Sequence, residues 1–338
     1  MVANISLPPR LKPGSGSRRV LYVAIAGDIA IAVAKFSVAT VTGSSAMLTE
    51  GVHSLVDTGN ELLLLYGVRR GQRVVDERHP FGYGKTTYVW SLIVALSVFS
   101  IGGGVSVYEG IISLAGPPVL ADPTWNYIVL GVAAVFQGYS WLVSQKELNR
   151  HRHAGESLWR ASQRDMDVLV FTVFVEDSAA LIGIAIAVLG VGLSHALKNP
   201  YYDPAASVLI GLVLIASAGL LARKSVSLLV GASLDRDQLA QLRKIITTDP
   251  AVERVGQLLT MRLGPDSVLL TAAVRFQRRL SLDEVEQAIE RLERAIKVPY
   301  PAIPHLYLES GAIKQAAHSA GQVTAHETAQ GASTATVP

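Results

Sequence analysis

The stretch Leu48–Val68 reads LTEGVHSLVDTGNELLLLYGV. It has the length of a membrane-crossing helix, because about 20 residues are needed to span a hydrocarbon core of about 30 Å. Yet it carries Glu50, His53, Asp57 and Glu61, and one charge at membrane depth costs roughly 2.5–3.5 kcal/mol even on the lenient insertion scale. Placed on a helix with Glu50 at zero, His53 falls near ~300°, Asp57 near ~340°, Asn60 near ~280° and Glu61 near ~20°. The five share an arc of roughly 100°, and the opposite face is Val, Leu and Gly. Such a helix is expected to cross the membrane with its polar stripe turned into a bundle. His53 and Asp57 stand one turn apart, where two side chains can share a ligand.

The rest of the chain supports a bundle. Half of its 338 residues are hydrophobic and 17% are charged, which fits a polytopic membrane protein better than a soluble enzyme. With no cysteine, disulfides, thiolate sites and iron–sulfur clusters are excluded. Six spans are expected, at about 20–42, 45–67, 88–114, 126–145, 168–194 and 204–222. The second and fifth should be the least apolar, because of their acids. Residues 1–19 precede the first span; they have no apolar core and are not expected to be a cleavable signal. Arginines and lysines gather before span one, between spans two and three, between spans four and five, and after span six. The other three connections hold only Lys198. Positive loops stay in the cytoplasm, so both termini are expected there.

The texture changes after residue 224. A helix near 235–247, strands near 252–262 and 268–276, a helix from Ser281 and a strand near 306–309 give the order αββαβ. Ser281 and Glu284 form a capping box, and Leu282, Val285, Ile289, Leu292 and Ile296 mark one apolar face. The expected fold is therefore a six-helix membrane domain, 20–224, followed by a cytoplasmic α+β, ferredoxin-like domain, 225–311. The tail 312–338 is rich in Ala, Thr, Gly, Ser and Gln and is expected to be disordered.

Other spans supply partners for the stripe. Span five, TVFVEDSAALIGIAIAVLG, carries Glu176 and Asp177. Span one carries Asp28, with Lys35 seven residues on along the same face. An imidazole and several carboxylates from different helices make a site for a divalent cation. Zinc takes nitrogen and oxygen ligands in a tetrahedron, and manganese or iron accept more oxygens. Buried polar groups can also act as glue between helices, as Asn60 or Thr172 could, but hydroxyls and amides do that at lower cost than His53, Asp57 and Asp177. Asp28 and Glu50 suit a gate, a proton carrier or a helix contact as well as a ligand. Two other readings compete with a metal site. An ion-coupled transporter of an organic solute predicts helices broken by Gly and Pro near the site, and spans two and five have no Pro. An intramembrane metallo-hydrolase needs an open metal position and a general base, and no HExxH is present.

Three motifs then carry a resemblance: GSSAMLTEGVHSLVDTGN with HSLVD at 53–57, DERHPFGYGK at 76–85, and the acid in span five. Together with the six spans and the αββαβ tail, they resemble the cation diffusion facilitator family of divalent metal transporters, in its zinc-exporter-like group, over about residues 20–310. TEGVHSLVDTGN, HPFGYGK and VEDSAALIG resemble a branch with mitochondrial and bacterial members. The resemblance implies a homodimer that exports divalent metal from the cytoplasm in exchange for protons. It implies no prosthetic group, no enzymatic activity and no nucleic-acid partner. The expected residence is a bacterial inner membrane, and the expected cargo is zinc foremost, with Fe, Mn, Co and Cd as alternatives. It maps metal ligands onto His53, Asp57 and Asp177. The fourth position is Val173, a departure for which Glu176 is the substitute. A loop site of some relatives maps onto Asp76, His79 and Tyr83, where the last ligand is lost and strong binding is not expected. A tail site maps onto Gln257, Ala272 or nearby, Tyr307 and Glu309, where little or no metal is expected.

Competition for the site between a dication and protons would couple the two fluxes, because the ligands must be deprotonated to bind metal. His53 is the natural proton carrier.

Overall fold

The computed structural model describes residues 15–42, 45–116, 123–150 and 168–310. Within the helices it describes the backbone alone for residues 15–17, 42, 45–50, 52 and 53. The first fourteen residues, the connection 151–167 and the tail from 311 lie outside this description, and so do the expectations made for them. The chain divides into one unit that ends at Val230 and another that begins at Gly231.

Among the described residues, six long helices occupy the first unit: α1 (Ser15–Thr42), α2 (Ser45–Gly71), α3 (Thr86–Ala115), α4 (Thr124–Arg150), α5 (Val168–Ala196) and α6 (Tyr202–Val230). All but α2 are long and apolar enough to cross a membrane. α2 has the length, at 27 residues, but its charged side chains lower its apolarity. α5 departs from expectation. It is among the most apolar of the six, because its two acids are diluted by Val, Leu, Ile, Ala and Phe along 29 residues. Helix α6 runs on through Arg223 and Lys224 to Val230, past the limit expected at 224.

The outward faces are apolar, as lipid requires. On α2, Leu55, Leu62 and Tyr66 are about half exposed, and they recur at the i, i+7, i+11 spacing of one helix face. Leu189 and Leu193 do the same on α5, and Val135 and Leu142 on α4. The inner faces pack tightly. α1 lies against α2, α4 and α5; α5 packs on α4 and α6; α3 packs on α2 and α6.

The α3–α6 contact is backbone on backbone. Residues Val98–Gly104 of α3 form a π-helical stretch that includes Gly102, Gly103 and Gly104. A Cβ on Gly103 would stand 3.0 Å from the Gly211 carbonyl oxygen, and one on Gly211 would stand 2.9 Å from that of Gly103. Small residues are what allow helices to come this close where lipid supplies no hydrophobic drive. Nearer the helix ends, three fully buried hydroxyls join α3, α5 and α6. Ser225 Oγ donates to Ser91 Oγ at 3.0 Å, Ser91 and Thr172 hydroxyls meet at 3.3 Å, and Thr172 Oγ1 donates to Val168 O at 2.7 Å.

The second unit realises the αββαβ order as α7 (Arg236–Thr248), β1 (Val252–Gly264), β2 (Ser267–Phe276), α8 (Leu282–Lys297) and β3 (His305–Ser310). β1 and β2 pair antiparallel across a tight turn, and β3 pairs parallel with β2 after the α8 crossover. Parallel neighbours need such a crossover. Val268, Leu270, Ala272 and Val274 alternate into the core, as the two-residue period of a strand dictates. Leu242 and Ile246 of α7, Leu292 and Ile296 of α8, and Ile303 complete it. Each helix begins on a side-chain cap. Asp235 Oδ1 accepts from Gln238 N at 2.8 Å. The Ser281–Glu284 box closes with Glu284 Oε2 accepting from Ser281 N at 2.7 Å and Ser281 Oγ accepting from Glu284 N at 3.3 Å. One expectation fails here: Leu282 is 74% exposed. As the first helical residue it precedes the turn at which Val285, Ala288, Leu292 and Ile296 reach the sheet.

Candidate metal centre

α2 turns the described part of its stripe, Asp57, Asn60 and Glu61, inward. Asn60 is 5% exposed and Glu61 6%, and Asp57 is partly buried. Glu50 and His53 lie on the same helix, upstream of Asp57, in the part whose side chains are outside the description. α5 brings Asp177, 2% exposed, and the partly buried Glu176. α1 brings Asp28, with Lys35 in electrostatic range of it.

These acids gather round Glu61. It lies within electrostatic range of Asp28, Asp57, Glu176 and Asp177, which come from three helices. Asp28 and Glu61 carboxyls are within hydrogen-bonding reach. The two neighbouring acids of α5 point differently, as roughly 100° per residue requires. Of the charges around Glu176, that of Asp57 acts most strongly. Asp177 turns toward Asp28 and toward α4. There Gln137 Nε2 donates to Asp177 Oδ1 at 2.8 Å, while Ser140 Oγ lies beside the carboxylate without an ordinary hydrogen bond. One turn on, Trp141 Nε1 donates to Ser178 Oγ at 2.9 Å, and the Trp141 ring stacks on Phe174 at 6.0 Å.

Two carboxylate oxygens, Glu61 Oε2 and Asp177 Oδ2, are buried without a hydrogen-bond partner among the described residues. Such oxygens are costly in a low-dielectric interior unless a cation or a proton meets them. The acids do not close on one point: among the described residues, no three His, Asp or Glu side chains converge to hold a metal ion.

Val173 is buried, 1% exposed, and supplies no donor atom. The hydroxyl of Thr172, one turn before Glu176, is spent in the chain to Ser91 and Val168. Glu61 and Gln137 are the two residues that sequence reasoning left out of the site. Glu61 stood on the stripe but matched no expected ligand position. Gln137 is a single amide inside the apolar run VLGVAAVFQ, a signal that could have been read.

In the loop after α2, Asp76 Oδ1 accepts from His79 N at 2.7 Å and lies 3.2 Å from His79 Nδ1. Tyr83 O–H donates to Asp76 Oδ2, and the His79 and Tyr83 rings lie 4.1 Å apart. Tyr83, the third position of the expected loop site, therefore takes up the carboxylate itself. The Tyr83 hydrogen bond is the main cause holding Asp76 below its ordinary value, and the same bond raises Tyr83. In the second unit, Tyr307 and Glu309 lie opposite Thr271 and Ala273, whereas Ala272 faces the core.

A family model described as the cation efflux transmembrane domain matches residues 21–230. The chain belongs to this family, the cation diffusion facilitators. It is 30% identical over 291 residues to the human "Proton-coupled zinc antiporter SLC30A9, mitochondrial", covering 84% of this chain and 51% of that protein. It is 28% identical over 267 residues to "Metal tolerance protein C4" of Arabidopsis thaliana, covering 78% and 58%. With the "Cation-efflux pump FieF" of Yersinia pestis it shares 28% over 266 residues, covering 77% and 81%. The chain thus spans about half the length of the zinc antiporters it matches.

Proposed function

We propose that this facilitator moves a divalent metal ion, zinc foremost, out of the cytoplasm in exchange for protons. His53 and Asp57 of α2 and Asp177 and Glu176 of α5 act as its ligands. The observation that carries this reading is the ring of acids from α1, α2 and α5 with two buried, unpartnered carboxylate oxygens. Acids held this way accept either a dication or protons, and alternating access then couples the two flows. The relatives' names add support, since they describe a zinc antiporter and a cation-efflux pump. With one imidazole the ligand set is rich in oxygen, which also admits Fe, Mn, Co or Cd. Asp28, Glu50, Glu61 and Asn60 serve as accessory groups along the metal's route.

The assembly is a homodimer in a bacterial inner membrane, with both termini cytoplasmic. The distribution of basic loops supports the orientation. Asp76 and His79 brace the loop between α2 and α3 and do not form a strong metal site.

Uptake by proteoliposomes of Zn, Mn, Fe, Co and Cd across an imposed pH gradient tests this. Zinc flux should depend on the gradient and fall to background in Asp57→Ala. Metal-dependent flux that survives Asp57→Ala unchanged would remove the site, and flux indifferent to pH would remove the exchange.

A further inference from the structure

Asp177 offers its two oxygens unequally. Oδ1 is taken by the Gln137 amide at 2.8 Å, whereas Oδ2 is buried and has no partner among the described residues. A carboxylate oxygen that accepts a hydrogen bond is the weaker metal donor of the two, so the free oxygen is favoured as the single ligand atom. Monodentate carboxylate suits four-coordinate zinc, while larger cations of higher coordination number gain from both oxygens of one carboxylate. We infer that Gln137 is a positioning residue that sets cation preference, by holding Asp177 Oδ1 and leaving Oδ2 as the single oxygen to present. This inference rests on Asp177 being a ligand. Outer groups that orient a metal-binding side chain typically change metal affinity roughly 10- to 100-fold when removed.

The structure supplies an internal control. Trp141 makes a second α4–α5 hydrogen bond among the described residues, and its acceptor is Ser178 Oγ rather than the Asp177 carboxylate. If Gln137 merely clamps the helices together, the two bonds are equivalent. If it positions the carboxylate, only Gln137 affects the metal.

The experiment compares Zn and Mn transport by the full chain in proteoliposomes for wild type, Gln137→Leu, Trp141→Phe and Asp177→Asn. Gln137→Leu should raise the apparent KM for zinc at least tenfold, keep the maximal rate within a few-fold, and leave the KM for manganese unchanged or lower. The Zn/Mn preference should therefore fall by about tenfold or more. Trp141→Phe should leave it at the wild-type value. A preference unchanged in Gln137→Leu, or lowered equally in Trp141→Phe, overturns the inference. If Gln137→Leu does not fold, Gln137→Met keeps the length of the side chain and carries the same expectation. Asp177→Asn separates the two readings: it should abolish flux of both metals, and retained flux would remove Asp177 as a ligand, whatever Gln137 does.

Discussion

Placing one methyl group at Gly211 tests the close approach of α3 and α6. A Cβ there would meet Val107 Cγ2 at 2.6 Å, Val107 N at 2.8 Å and Gly103 O at 2.9 Å. Two of these three are backbone atoms inside a helix, so they cannot swing aside as a side-chain end could. Overpacking of this kind typically costs about 1–3 kcal/mol. Gly219 lies eight residues along the same helix, and a Cβ there meets nothing within 4 Å. Both substitutions gain about 1 kcal/mol of helix propensity on going to Ala, so that gain cancels between them. Gly211→Ala should therefore be less stable than Gly219→Ala by about 1–3 kcal/mol, a difference of roughly 5- to 150-fold in the folding equilibrium. The assay is reversible unfolding of the purified protein in mixed micelles, with denaturing detergent titrated and helicity followed. Equal stabilities, or Gly211→Ala the more stable of the two, would refute the backbone-on-backbone contact.

Three further outcomes are expected. Leu292→Ala, at a site 1% exposed, should destabilise the second unit by about 2–5 kcal/mol in denaturant unfolding, whereas Leu282→Ala, at the 74% exposed position, should stay within about 0.5 kcal/mol of wild type. Ser281→Ala removes one side of the capping box and should cost about 0.5–2 kcal/mol in the same measurement. Asp76 is held below its ordinary 3.8 chiefly by Tyr83. Its contribution is thus present above that value and lost as pH falls through the lower, folded one. Tyr83→Phe should shift the Asp76 carboxyl resonance titration upward, toward 3.8, and an unmoved titration would show that the Tyr83 bond is not its cause.

Much of this architecture was legible because the signals were periodic. The stripe at 57, 60 and 61 comes from a rotation of about 100° per residue, and the structure turns those side chains inward. Alternation along β2 and the Ser281 cap were equally local. What was not legible depends on neighbours in space. Glu61 became central only when α1 and α5 brought Asp28, Glu176 and Asp177 round it. Glu176 and Asp177 are adjacent in sequence, and only the packing of α4 against one side of α5 shows which faces Asp57 and which faces Gln137. The exposure of Leu282 escaped for a smaller reason: the apolar pattern continues through the helix start, while burial begins only at the following turn.

The three hydroxyls that join α3, α5 and α6 have a direction. Thr172 spends its only proton on Val168 O, so the proton between Thr172 and Ser91 must belong to Ser91, and Ser91 in turn receives from Ser225. Each hydroxyl has one proton to give, and all three are committed, ending on the carbonyl of the first residue of α5. Neither α5 nor α6 can part from α3 at that level without stranding a buried hydroxyl proton. Under the rocking motion by which the proposed exchange would proceed, α3, α5 and α6 should therefore travel as one piece at this end, and any shear should fall on helices outside the trio.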